Sequence, residues 1–433
     1  PRLGSGGTRD GVAVTVTDRN RNNGDTAEIL LAELTARGIH LRLEDGGLRF
    51  DAPAGAFDDA LKDRVRTARD ELSRLLAGPV TAPLASGQER MWFLNRLDGG
   101  SADYTEHLAF RFDGALSIPA LSQALALIVN RHPALRTLFR DGPEGPEQVI
   151  APPAPLDLPI IDLTNRPDDL DRELDKAAHR PVNLASDPHI RFQLLTLGHN
   201  SAVLSVSAHH AAWDGWSNGV FIGELQTAYA AYAQGETPTL PMLTTTPAEL
   251  AQRQRRRLAA GEDQQAQDAL RHLHGGYPTH FDLPTDHPRP PVADGRGAAQ
   301  QVRIPAELAR PFVETARRHK ATAYMALLAT FALLMARLSG ATKLLIGAPV
   351  AARRGEAEEA ILGYLANTVA IPINLEGAPG FAALVERTRA AVLAVMETQQ
   401  VPFEQVVETL SPPRSRDRAP LVQVVFALQP ATV

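Results

Sequence analysis

The chain of 433 residues contains no cysteine. That absence excludes disulfides, a thiol nucleophile and cysteine-ligated metal, and it fits a reducing compartment such as the cytoplasm. Any chemistry on sulfur must therefore use a partner's sulfur. A surplus of positive charge is missing too: 44 Lys and Arg against 50 Asp and Glu give a formal net charge of −6, so there is no basic footprint for nucleic acid. Long apolar runs are also lacking. The longest, "ATAYMALLATFALLMA" at 321–336, lies between Lys320 and Arg337 and is short for a membrane span, so it is read as a buried core helix. The opening "PRLGSGG" has no apolar signal-peptide core, and a first residue other than Met points to a trimmed piece. Neither a nucleotide-binding glycine loop nor a carrier-type serine motif is evident.

With 44% hydrophobic and 22% charged residues, the composition is that of a globular protein, and the length predicts two or three domains. Residues 1–25 read as a tail. Within 26–78, Ala27, Leu30, Leu31 and Leu34 fall at helical spacing, with Gly38 placed to stop the helix. Ile39, Leu41 and Leu43, the turn "EDGG", then Leu48 and Phe50 read as a hairpin. Leu61, Val65, Ala68, Leu72 and Leu75 recur every three or four residues and predict one further helix. This helix, hairpin and helix are small enough to form a separate module. Residues 79–88, largely the stretch "GPVTAPLASG" at 78–87, read as a linker. Helical and strand-like patterns then alternate to the end, with a lobe boundary placed near 240 in the Pro- and Thr-rich "QGETPTLPMLTTTP". Strands are predicted at 343–351, 367–375 and 421–428, and a helix at about 381–398. The basic "RQRRRL" at 253–258 reads as a solvated helix face.

The candidate chemistry lies in "SVSAHHAAWDGWS" at 205–217. An apolar β-branched strand leads into His209 and His210, and a helical stripe starts just after Gly215, so the motif occupies a strand-to-helix connection. Such loops hold reactive groups on a rigid scaffold. Neighbours at a strand end point to opposite sides, so one histidine faces a cavity while the other packs inward. A bare His-His pair is more often a satisfied core feature, but the full His-His-x-x-x-Asp-Gly spacing resembles the signature of the condensation-domain family of nonribosomal peptide synthetases. The resemblance extends through "LASGQERMWFLNRL" (84–97), "RHPALRTLFR" (131–140), "IGAPVAARRGEAEEAILGYLANTV" (346–369), "QQVPFEQVVETL" (399–410) and "RDRAPLVQVVFALQ" (416–429), in order. Residues 26–78 resemble the N-terminal docking domains of tubulysin-type assembly lines.

The resemblance implies an α/β (α+β) fold of two chloramphenicol-acetyltransferase-like lobes, 84–240 and 241–433, in a V shape with a tunnel between them, preceded by the docking module. It implies an acyltransferase that joins a carrier-bound acyl thioester to the amine of a downstream carrier-bound aminoacyl group. No cofactor is expected on this chain, because upstream and downstream carrier proteins supply the 4'-phosphopantetheine arms. The docking module would receive the C-terminal tail of an upstream synthase, with Arg42, Arg49 and Lys62 attracting its acidic residues; plain solvation of these charges is the alternative. Neither nucleic acid nor membrane is an expected partner, and the polypeptide is expected to continue past 433.

On this resemblance His210 is the catalytic residue, as a base or as a group that holds the amine, contributing about 10²-fold to 10⁴-fold in rate. His209 is its packed neighbour, and Gly215 lets a backbone N–H approach the developing oxyanion. Asp214 is structural, paired with Arg136 or else with Arg131. Asn367 positions substrate or holds structure. Trp216 and Ser217, in "DGWS", are similar to domains that take an L-configured or acyl-starter donor, while Trp213 departs from the smaller residues common at its position. Three other readings stay open: a silent recruitment platform, an epimerisation or stand-alone acyltransferase variant, and a metal site prompted by His272, His274, His280 and His287. For the last, ligands at recognisable spacing are lacking, so no metal is expected.

Overall fold

The computed structural model describes residues 27–44, 47–53, 56–76, 79–288, 297–413 and 418–429. The expected tail at 1–25 lies outside them. The chain divides into two compact units, 1–78 and 79–433.

In the first unit, α1 (Ala27–Ala36) is followed by the hairpin of β1 (His40–Glu44) and β2 (Gly47–Asp51), then by α2 (Asp59–Thr67) and α3 (Arg69–Leu76). Gly38 takes a positive φ of 74° directly after α1, the conformation that suits glycine at a helix end. Leu41 pairs with Phe50 and Leu43 with Leu48. Leu30, Leu34, Ile39, Leu41, Leu61 and Leu72 bury into one small core. The sequence pattern predicts one continuous helix over 61–75, whereas the structure breaks it at Ala68, whose ψ of 13° leaves the helical range. The break lets Leu61 and Leu72 reach the same core from two short helices.

The second unit begins with β3 (Val80–Pro83), which pairs antiparallel with β6 (Gly145–Ile150); β6 in turn pairs with β5 (Thr137–Gly142). The stretch read as a linker is thus a strand, because its backbone closes the edge of that sheet. Helix α4 (Ser86–Asp98) follows. A second sheet has the order β4 (Thr105–Asp113), β9 (Ser201–His209), β8 (Ile190–Gly198), β7 (Ile160–Asp162). Helices α5 (Ile118–Arg131) and α7 (Gly215–Ala233) pack together against it, and α6 (Leu170–Ala178) contacts β4 and β9. Leu108, Phe110 and Phe112 of β4 join Leu204 and Val206 of β9, and Phe221 of α7, in the core of this half.

A separate core forms around α11 (Ala323–Ser339), α10 (Ala306–Arg318), α13 (Phe381–Met396) and the antiparallel pair β10 (Lys343–Val350) with β11 (Asn367–Asn374). Helices α8 (Pro247–Ala259), α9 (Gln264–His274), α12 (Glu356–Glu359) and α14 (Phe403–Leu410) complete the described elements. The apolar run at 321–336 thus belongs to a core helix, and no single helix among the described residues is long and apolar enough to cross a membrane.

Two further expectations change. The run at 421–428 forms only a bridge from Val425 to Gly347, where Val422 and Val425 occupy the space that a Cβ at 347 would need. The arginines of α8 are not a plain solvated face: Arg253 donates to Thr245 Oγ1, Arg255 to the Leu84 carbonyl and to Glu89, and Arg257 to Asp263 and the Gln400 carbonyl. Helix α8 packs on β3, so residues just beyond 240 are tied to the first half of the unit.

Candidate active site

Sheet parity separates the two histidines. Ala202, Leu204, Val206 and Ala208 line the core face under α5 and α7, and His210 follows in the same phase. Its backbone N–H donates to the Tyr104 carbonyl at 2.7 Å. The odd-numbered His209 lies on the opposite side and is 2% exposed. There its Nδ1 accepts the Ala211 N–H at 3.0 Å, and its ring lies 6.3 Å from that of His189. Burial, joined by the positive charges of neighbouring groups, pushes His209 down to about 3, and burial pushes His189 down to about 4. Both imidazoles are therefore neutral at pH 7.

His210 keeps about a third of its side chain exposed. Its Nδ1 donates to the Trp213 carbonyl at 2.7 Å, which fixes the tautomer and leaves the lone pair on Nε2. Two side chains flank the ring. Tyr364 lies 5.1 Å away between centroids, and Glu106 Oε1 is 3.6 Å from Nδ1. The Tyr364 hydroxyl accepts from Arg90 at 3.2 Å, and burial raises its pKa. Gly87 admits that ring, since a Cβ there would stand 2.7 Å from Tyr364 Cε1. Tyr364 also lines a cavity of about 390 Å³ bounded by Gln88, Arg90, Arg256, Arg354 and Asn367, among others.

Asp214 organises the turn after the histidines. It is the N-cap of α7, accepting the Ser217 N–H at 3.1 Å and the Ser217 hydroxyl at 3.0 Å. Arg353 grips both oxygens, at 2.8 and 3.0 Å, and the N–H groups of Leu365 and Ala366 each donate to Oδ2 at 3.0 Å. Both charged side chains are 1% exposed. The expected partners of Asp214 are thereby corrected. Arg136 instead donates to the carbonyls of Val129 and Asn130 in the last turn of α5 and of Ala151 just after β6, and Arg131 pairs with Glu224 at 2.9 Å. Arg353 sits on the loop after β10, where only tertiary folding brings it to the N-terminus of α7.

The rest of the motif extends this junction. Trp216 donates to the Glu359 carbonyl at 3.0 Å and stacks with Arg353, while buried Ser217 exchanges hydrogen bonds with Gly363. Gly215 opens α7, is exposed, and a Cβ there would meet no atom within 4 Å. Asn367 donates to the carbonyls of Gln399 and Val401 and accepts from the N–H groups of Thr368 and Phe403. Its amide is fully occupied by backbone. The four histidines between 272 and 287 form no group of three or more candidate metal ligands among the described residues. His274 is buried between the Leu270 and Ala370 carbonyls. In the first unit, Arg42 and Arg49 are directly opposite each other across the hairpin, and Lys62 pairs with Asp59 at 2.8 Å.

Arg353, Tyr364 and Glu106 escape sequence reasoning. Arg353 and Tyr364 lie inside the motif at 346–369 but carry no spacing signal of their own. Glu106 does leave one, as the single acidic residue in a row continued by Leu108, Phe110 and Phe112.

Two outcomes follow from this geometry. Arg353→Met leaves Asp214 buried and uncompensated, and urea unfolding is expected to show a loss of about 3–5 kcal/mol. The depressed pKa of His209 makes its stability contribution full above pH 6.5 and lost as pH falls toward 3, because the unfolded chain takes the proton first. His209→Asn can still accept from Ala211 but does not titrate, so its melting temperature is expected to fall less between pH 7 and 4 than that of the wild type.

Comparisons with known proteins agree with this architecture. Residues 80–433 match the model of the condensation domain, and 28–77 match that of the TubC N-terminal docking domain. Phosphinothricin tripeptide synthetase PhsB of Streptomyces viridochromogenes is 35% identical over 88% of this chain and 33% of its own length. Malpinin synthetase of Mortierella alpina is 34% identical over 88% of this chain and 5% of its own length. The chain thus spans a third or less of these relatives. The X-domain from teicoplanin biosynthesis superposes with a TM-score of 0.70 at 29% identity, covering 79% of this chain and 76% of that one. The first condensation domain of the CDA synthetase, with a TM-score of 0.66 at 21% identity over 81% of this chain and 83% of its own, shares the fold. With its buried Asp214, its two histidines on opposite faces and its preceding small module, this chain belongs to the condensation-domain family and carries a docking domain of the TubC type at its N-terminal end.

Proposed function

We propose that this chain forms an amide bond between an acyl or peptidyl thioester on an upstream carrier and the amine of an aminoacyl group on a downstream carrier. The observation that carries the reading is the state of His210: Nδ1 is held by the Trp213 carbonyl, Nε2 keeps its lone pair, and the side chain is open to solvent. A nitrogen so held can take a proton as the amine attacks the thioester carbonyl. The thiol then leaves on its own carrier, so the acyl group never binds covalently to this chain. Both phosphopantetheine arms belong to the carriers, in keeping with a chain that has no cysteine. The cavity lined by Tyr364, whose ring flanks His210, is the proposed path of one arm, and Arg256 and Arg354 in its lining suit the phosphate of such an arm.

Gly215, exposed at the start of α7 and close in sequence to His210, is the proposed source of a backbone N–H for the developing oxyanion. Asp214, Ser217, Trp216 and Asn367 support the site by holding backbone. The intact histidine motif disfavours a recruitment platform, although one structural neighbour is the teicoplanin X-domain in complex with OxyB. A docking module ahead of the catalytic unit disfavours epimerisation. The proposed compartment is the cytoplasm.

Upstream partners are read from the hairpin. Arg42 and Arg49 lie directly opposite each other across the hairpin, so its face gathers positive charge that attracts an acidic group. An acidic tail adding along the strand edge supplies such a group.

Condensation between loaded carriers, followed by intact-protein mass spectrometry, tests the catalytic reading. His210→Ala is expected to lose about 10²-fold to 10⁴-fold in rate; a rate equal to that of wild type overturns the role of His210, and no product from any correctly docked pair favours the platform. For docking, Arg42→Glu with Arg49→Glu is expected to weaken binding of an acidic upstream tail by at least about 10-fold at low salt, read by calorimetry, with the difference narrowing as salt rises.

A further inference from the structure

Glu106 stands beside the one imidazole on which the proposed reaction depends. Strand β4 sends Leu108, Phe110 and Phe112 into the core. Glu106 continues that row one step nearer the strand end, opposite Ala208 in the register. An apolar side chain would fit the pattern, whereas a carboxylate there loses hydration and needs a reason. Burial raises its pKa above the ordinary carboxylate value, opposed by the charge of His210 and reinforced by that of Asp214.

The surrounding bonds run from the imidazole toward the carboxylate. His210 Nδ1 donates to the Trp213 carbonyl, the Trp213 indole donates to Asn218 Oδ1 at 2.8 Å, and Asn218 acts on Glu106 to lower its pKa, against the effect of burial. Glu106 Oε1 then lies 3.6 Å from His210 Nδ1, too far for a hydrogen bond and close enough for a strong charge interaction. Both side chains keep about a third of their surface exposed, so both face the open side of the site. Asp214, the other carboxylate nearby, is already neutralised by Arg353 and four further donors. Glu106 is therefore the carboxylate left to answer a charge that appears on His210.

We propose that Glu106 is a positioning residue for the condensation reaction: beside the His210 ring, it supplies the counter-charge for the imidazolium that forms when His210 accepts a proton from the attacking amine. The proton passes from the amine nitrogen to His210 Nε2 and later to the departing thiolate or to water; Glu106 neither gains nor loses a covalent bond. This rests on the reading of His210 as the proton acceptor.

The groups that face Glu106 are His210 and Asp214 from the β9–α7 turn, Asn218 from α7, and Arg353 through Asp214. Its own titration thus enters the pH dependence: a raised carboxylate pKa means that the counter-charge is present above that pKa and lost as pH falls through it.

The test measures single-turnover condensation with saturating loaded carriers for the wild type, Glu106→Gln, Glu106→Asp and His210→Ala, with melting curves alongside. Glu106→Gln keeps the shape but removes the charge. It is expected to lower the rate by about 10-fold to 100-fold, less than the loss in His210→Ala, to leave the carrier KM and the melting temperature unchanged, and to move the acid limb of the pH–rate profile. Glu106→Asp is expected to recover part of the rate. A Glu106→Gln rate and acid limb equal to those of the wild type, with His210→Ala inactive, overturns the role of Glu106 alone. Wild-type activity in His210→Ala overturns the underlying reading instead. If Glu106→Gln fails to fold, a Glu106→Asp protein that melts like the wild type but has lost as much rate as His210→Ala also overturns the proposal.

Discussion

Everything at the candidate site hangs on one buried carboxylate. Asp214 closes the first turn of α7, accepts a bidentate Arg353 and receives two backbone N–H groups from the segment before β11. A charge taken this far from water costs several kcal/mol unless it is fully compensated. Here the compensation comes from three separate stretches of chain, so the charge can be buried only when all three are in place. The start of α7, the loop after β10 and the segment before β11 are thereby assembled by a single requirement.

That assembly explains the division of labour among the motif residues. Trp216 and Ser217 reach back to Glu359 and Gly363, and Asn367 ties the start of β11 to the turn at Gln399–Phe403. Each of these polar groups is matched to backbone. His210 is different, because the nitrogen that is not bonded to the Trp213 carbonyl carries a lone pair and the ring keeps solvent access. The contrast with His209, buried, neutral and accepting from Ala211, arises from a shift of one residue along the same strand. A pleated strand thus gives two identical side chains opposite environments.

The sequence pattern reveals the elements well where periodicity is strong. The hairpin at Ile39–Phe50, the core helix within 321–336 and the two strands flanking the loop at 351–366 all follow from the spacing of apolar residues. It is less informative where tertiary pairing decides. Val80–Pro83 has the Pro and Gly neighbours of a linker but pairs with β6, and 421–428 has the composition of a strand but keeps one bridge to Gly347. The partner of Asp214 could not be read from spacing either. An arginine 139 residues away has no local signature, and Arg136, from another motif, is drawn instead to the carbonyls of the last turn of α5. Glu106 was visible as a break in an apolar row, a signal that acquires meaning only when His210 is placed beside it.

The fully satisfied amide of Asn367 has a consequence for how the cavity can change over evolutionary time. Three of its four bonds fix the backbone of the turn at Gln399–Phe403 against β11, and that turn supplies part of the cavity wall. A wall pinned in this way does not bend to fit a new occupant. Side chains that project from this constant frame, as at Gln399, Gln400 and Glu404, can then be exchanged without moving it, so that the lining changes one residue at a time while the frame stays where it is.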